Sequence, residues 1–164
     1  MRKICFALRI IPVLVLAALL LASCGGSPKN YVTDDFMIAL PSGFSKTQTE
    51  KYAAAYTSQK IIICISKDSF DSLGTDNVTS LTPEVYAASL IVGSKLTSTV
   101  QKDGDLVFFE YTSDADGQSR TYCDYVYKGP DAFWLVQFVV KTSALSEKTR
   151  ASITSIAGSF RLLS

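Results

Sequence analysis

Histidine is absent from all 164 residues. That removes Ser–His and Cys–His nucleophilic pairs and the usual His-containing zinc sets. Lysine- or carboxylate-based catalysis has no motif to support it. Beyond the first segment Lys and Arg are scattered singly, and the formal net charge is only +1, so the sequence shows no run of cations able to displace counterions from nucleic acid. Tryptophan occurs once and methionine twice. No apolar run reaches the roughly 20 residues needed to cross a hydrocarbon core, and no internal repeat is present. What remains is a globular balance, with 48% hydrophobic and 19% charged residues, in a chain long enough for one ordinary domain.

The first segment accounts for part of the apolar excess. Met1-Arg2-Lys3 opens a basic region, and Ile10 to Ala22 is an uninterrupted apolar stretch containing Pro12. Its size is that of a signal-peptide core. It ends in Leu21-Ala22-Ser23-Cys24-Gly25, which resembles the bacterial lipobox of a Leu, two small residues and Cys. The resemblance implies that residues 1–23 are a lipoprotein signal peptide and that Cys24 carries a diacylglyceryl group and becomes the first residue. Each buried methylene contributes about 0.8 kcal/mol, and stable anchoring takes two chains. The chain is therefore expected to be held by lipid to the extracytoplasmic face of the cell membrane. Residues 1–23 carry Arg2, Lys3 and Arg9 and no acid, so their removal leaves 13 basic against 15 acidic residues and a net charge of −2. Residues 24–33, with Gly25-Gly26-Ser27-Pro28-Lys29-Asn30 at their start, read as a flexible tether.

Residues 34–164 read as a single domain. Phe36 to Leu40 predicts a strand closed by the turn Pro41-Ser42-Gly43-Phe44. Tyr52 to Tyr56 and Lys60 to Ser66 predict two more, and Ile61 to Ile65 is apolar on both faces, as in a covered central strand. Residues 67–82 read as a loop. Thr82-Pro83-Glu84 then signals a helix start, with Val85, Ala88, Val92 and Leu96 as its apolar stripe. Strands follow at Thr97–Lys102, Leu106–Ser113, Ser119–Lys128 and Phe133–Lys141, punctuated by Gly- and Asp-containing turns. A last helix runs from about Ser146 to Gly158, with Leu145, Ile153, Ile156 and Phe160 on one face. The order β-β-β-α-β-β-β-β-α predicts an α+β fold, an antiparallel sheet flanked by helices.

The stretch Phe36-Met37-Ile38-Ala39-Leu40-Pro41-Ser42-Gly43-Phe44 resembles the opening of PsbP/Mog1-like (DcrB/LpqN-like) domains, a strand ending in Leu-Pro, one residue, Gly and an aromatic. The element order resembles that family over about residues 34–162. The resemblance implies an α/β/α sandwich and accessory, non-catalytic roles. The His-containing sites of photosystem-type members have no counterpart here. The alternative fold is a cystatin- or NTF2-like cone of curved sheet around a helix.

Cys64 and Cys123 are either small buried hydrophobes or a disulfide, which the extracytoplasmic location permits. Asp114-Ala115-Asp116-Gly117 fails the EF-hand pattern, which needs Gly sixth and Glu twelfth, and is a turn. Asp34-Asp35 is a solvated strand entry, and the sequon Asn77-Val78-Thr79 is coincidental beside a bacterial lipobox. Strand alternation puts Cys123, Tyr125 and Tyr127 on one face and Tyr122, Asp124 and Val126 on the other. An uncovered aromatic row of Tyr125, Tyr127 and Trp134 would form a binding patch. No cofactor, metal site or nucleic-acid partner is expected. The expected function is a membrane-anchored, non-enzymatic protein-binding or accessory module at the cell surface. The alternative is a carrier of a lipid or other small apolar ligand.

Overall fold

The computed structural model describes residues 27–74, 78–115 and 117–163. Cys24, Asn77 and Asp116 lie outside the described residues. In chain order the elements are β1 (Lys29–Val32), β2 (Phe36–Leu40), β3 (Ser45–Thr47), β4 (Ala54–Thr57), β5 (Ile61–Ser69), α1 (Phe70–Leu73), α2 (Pro83–Gly93), β6 (Gln101–Asp103), β7 (Leu106–Ala115), β8 (Gln118–Lys128), β9 (Ala132–Lys141), α3 (Glu147–Ala157) and β10 (Arg161–Leu162), with 3-10 turns at Val78–Ser80 and Thr142–Ala144.

Seven strands form one antiparallel sheet in the order β3-β4-β5-β9-β8-β7-β6. β9 lies at its centre and is buried on both faces, through Phe133 and Val139 on one side and Trp134, Val136, Phe138 and Val140 on the other. Gly104 and Gly117 take left-handed backbone conformations in the turns closing β6–β7 and β7–β8, which glycine adopts without a Cβ penalty. A second, three-stranded sheet, β1-β2-β10, packs with α3 on one face of the large sheet. β2 alternates as its sequence demands, with Phe36, Ile38 and Leu40 buried. Phe36, Trp134 and Phe160 meet there, with ring centroids 5.2 to 6.4 Å apart.

On the opposite face, α2 packs on β7 and β8. Thr82 caps it, accepting from Val85 N at 3.4 Å, and Pro83 opens it. Tyr86 stacks on Phe133 at 4.2 Å and 5°, and Ala87 and Ile91 join Val107, Phe109 and Val126 in a second core. Helical elements on both faces of an open sheet are the sandwich arrangement, not a cone around one helix.

Four readings need correction. Residues 24–33 are not wholly a flexible tether, because they contain β1, whose register with β2 pairs Lys29 with Leu40 and Tyr31 with Ile38. The stretch 67–82 is not wholly loop, because β5 runs to Ser69 and α1 follows. The strand expected at Thr97–Lys102 is only the short β6. The α2 stripe of Val85, Ala88 and Val92 faces outward, with Val85 at 50% and Val92 at 77% exposure. Apart from Glu84 and Ser89 the helix is apolar on both sides, and the packing of Tyr86 decides which side turns in.

Candidate functional site

The aromatic residues of the expected patch are core. Tyr125 and Trp134 are 3% and 2% exposed, and Tyr127 is half-buried with its hydroxyl donating to Ala157 O at 2.8 Å. α3 and the small sheet cover that row, so it presents no surface. Cys64 and Cys123 are free thiols. Cys64 stands opposite Gln137 on β9, whereas Cys123 stands opposite the adjacent Phe138. Successive residues on β9 point to opposite faces, so the two thiols lie on different sides of the sheet and cannot bridge. Burial raises the pKa of both, that of Cys123 to about 12, where Glu110 adds to the effect. Neither is primed as a nucleophile, because the thiolate is the reactive form.

The face carrying Cys64 is only partly roofed. α2 covers its β7–β8 side, and α1 reaches the end of β5. Between and beyond them the strands bring together residues far apart in sequence. Cys64, Gln137, Asp124 and Phe109 form one row across β5, β9, β8 and β7. Ile62, Val139, Tyr122 and Tyr111 form the next. Ile62 is 37% exposed there, and Tyr52, Tyr111, Tyr122 and Gln137 are half-buried. Tyr111 and Tyr122 stack at 4.8 Å and 3°.

Asp124 lies at the bottom of the first row with 2% exposure. Gln137 Nε2 donates to Asp124 Oδ2 at 3.3 Å and reaches Tyr111 Oη at 3.4 Å. Asp124 Oδ1 has no hydrogen-bond partner. Burial therefore dominates and pushes the carboxyl up to about 7, with the Gln137 bond opposing the shift. Burial likewise raises the Tyr111 phenol, with the nearby Asp124 charge contributing less. This is a tunable acid in a polar cluster, but the cluster supplies no activated nucleophile beside it. Among the described residues, no group of three or more His, Cys, Asp or Glu could hold a metal ion. Strand alternation alone places Asp124 on the correct face of β8 without singling it out. The signal available was a lone carboxylate among the aromatic and aliphatic residues of β8.

A further exposed feature is the outer side of α2, where Val85, Ala88 and Val92 succeed one another at helical spacing.

No family model matches the chain, and no curated protein matches it. Its structure is similar to that of a protein from Bacteroides thetaiotaomicron, with a TM-score of 0.56 and 10% identity over 84% of this chain. This chain spans about half the length of that protein, 49%. It is also similar to cyanobacterial PsbP (CyanoP) from Synechocystis, with a TM-score of 0.51 and 13% identity over 87% of this chain and 99% of the other. A third similar structure is LpqN of Mycobacterium tuberculosis, a protein involved in cell envelope biogenesis. There the TM-score is 0.50 with 8% identity, over 84% of this chain and 90% of the other. At such identities the likeness is one of fold, and the chain has the PsbP/LpqN-like α+β fold.

Proposed function

We propose that this chain is a lipid-anchored accessory domain of the bacterial cell envelope, which binds a partner protein through the outer side of α2 and catalyses no reaction. One observation carries the reading: α2 turns Val85, Ala88 and Val92 to solvent while its other side is already satisfied by the core. A helix apolar on both sides has a second face to cover, and contiguous exposed apolar residues mark interaction surfaces. The lipobox at Leu21–Cys24 supports an envelope location, and the similar fold of LpqN, an envelope-biogenesis protein, agrees with it. The anchored N-terminus leads into β1, which packs on the opposite face of the large sheet from α2. The outer side of α2 thus belongs to the layer remote from the anchored strand. Carriage of an apolar ligand between sheet and helix has little space, because Tyr86, Phe109 and Phe133 fill that interior.

The test is photo-crosslinking in cells with the full chain. A crosslinking residue at position 92 should give one discrete protein adduct, and Val85→Asp should abolish it. The same group at the exposed Lys148 of α3 should give none. Absence of an adduct at position 92, or an identical adduct from both positions, would remove the case for this face.

A further inference from the structure

At one end of the large sheet, on the face that α2 leaves open, Arg120 of β8, Lys141 of β9 and Lys60 just before β5 line one cleft. Arg120 on β8 stands directly opposite Lys141 on β9. Lys60 immediately precedes Ile61, which is opposite Val140, so it arrives at the level of Lys141. All three line a cleft of about 200 Å³ together with Ile62 and Val139, themselves a directly opposed pair. Ala144 of the 3-10 turn after β9 closes one side.

This arrangement is unfavourable for the chain on its own. Like charges directly opposite on neighbouring strands are destabilising. The ion pairs among the described residues engage Lys67, Lys102 and Arg150, and none engages Lys60, Arg120 or Lys141. Arg120 Nε is buried and has no hydrogen-bond partner, although an unsatisfied buried donor costs free energy. The cluster also stands out against its surroundings, because residues 24–164 carry more acids than bases.

We propose that this cleft is a binding site for a small organic anion, a carboxylate or phosphate group bearing a short alkyl chain. Arg120, Lys141 and Lys60 hold the anionic group, and Arg120 presents the guanidinium fork suited to planar oxyanions. Ile62, exposed by 37%, and Val139 form the apolar floor on which the alkyl part lies. The cleft is short, so the site reads a headgroup and the first few methylenes rather than swallowing a whole lipid tail. The same chemistry is offered by a free short-chain acid and by the headgroup region of an anionic lipid. The site uses no residue of α2 and stands independently of partner docking there.

The experiment titrates the full chain, held in phosphatidylcholine nanodiscs, and follows the Arg120 Nε–H resonance. Hexanoate should shift that resonance saturably, whereas hexanol should not and inorganic phosphate should bind more weakly. Lys141→Gln and Lys60→Gln, both at exposed positions, should each weaken hexanoate by about tenfold, the loss of one charge-assisted contact, with the rest of the amide spectrum unchanged. Exchanging the disc lipid for phosphatidylglycerol separates the sources. A shift produced by that lipid and competed by hexanoate assigns a lipid headgroup, and a shift produced by hexanoate alone assigns a free anion. No shift with either, equal binding of hexanol, binding of phosphate as tight as that of hexanoate, or affinity indifferent to both lysine variants would each overturn the assignment.

Discussion

Asp124 and Gln137 face each other directly on β8 and β9, and the single bond between them leaves one carboxylate oxygen of Asp124 buried and unpartnered. A charge held this way is disfavoured in the folded state, so Asp124 is protonated near neutral pH more than an ordinary carboxyl.

The consequence is a pH-dependent stability with a definite sign. The folded pKa is about 7 against a reference of 3.8, so between those values the native state binds more protons than the unfolded state. Stability from Asp124 is complete below about pH 4 and is lost as pH rises through 7. The full loss is on the order of 4 kcal/mol. Asp124→Asn keeps a partner for Gln137 without the charge, so its stability should not fall over that window. Denaturant titrations at pH 5 and pH 8 decide the matter, and parallel behaviour of the two proteins would sink the idea.

Neighbouring residues on β5 should behave oppositely. Ile63 is fully buried beneath α3 and the small sheet, whereas Ile62 points to the open side. Ile63→Ala should cost about 2–5 kcal/mol, the usual range for buried truncation. Ile62→Ala should cost under about 1 kcal/mol. Equal losses in a denaturant titration would contradict the half-covered sheet.

That contrast marks how far the sequence could be read. The apolar runs of β5 and β9, the Thr82-Pro83 helix start and the start of the last helix near Ser146 are local signals, and each matches the structure. The face of α2 was not legible, because Val85, Ala87, Ala88, Leu90, Ile91 and Val92 permit more than one apolar stripe. The choice is made by Tyr86 stacking on Phe133, some 50 residues away in sequence. β1 has no such local signal, because Lys29-Asn30-Tyr31-Val32 lacks a clean alternation. It is held by pairing with β2 and by the Tyr31 hydroxyl donating to Phe44 O at 3.1 Å. The rows containing Asp124 and Arg120 depend on the register of separate strands, which the sequence does not display.

Trp134 should act as a core residue rather than a docking residue. It is 2% exposed, packed against Phe36 and Phe160, with Lys67 Nζ over its ring at 5.3 Å. Trp134→Ala should lower stability by about 3–5 kcal/mol. Circular dichroism during thermal unfolding checks this, and a variant that melted like the parent while losing partner capture would restore the exposed-patch reading.

The proposed anchor has its own test. If Cys24 is the lipidated residue, Cys24→Ala should abolish lipid attachment and accumulate the uncleaved precursor. Metabolic labelling with a fatty acid that still marked the Cys24→Ala protein would exclude that role.

The two domain thiols should be distinguishable by rate as well as by their failure to pair. Cys64 lies near the open side, 9% exposed, where a hydrogen bond from Tyr52 and the charge of Lys51 oppose the rise caused by burial. Cys123 lies within the core under α3, 4% exposed, with its Sγ 3.5 Å from Glu110 Oε2, and that carboxylate in turn accepts from Arg150 Nη2 at 2.9 Å. Alkylation requires thiolate and access, and both are scarcer at Cys123. Iodoacetamide at pH 8 should therefore modify Cys64 slowly and Cys123 only after unfolding, with peptide mass spectrometry reading each site. Because the thiols lie on opposite faces of the sheet, reductant should leave the melting temperature unchanged. Protein purified under oxidising conditions that carried a Cys64–Cys123 linked peptide, or that lost stability on reduction, would show the two strands in a different register from the one described.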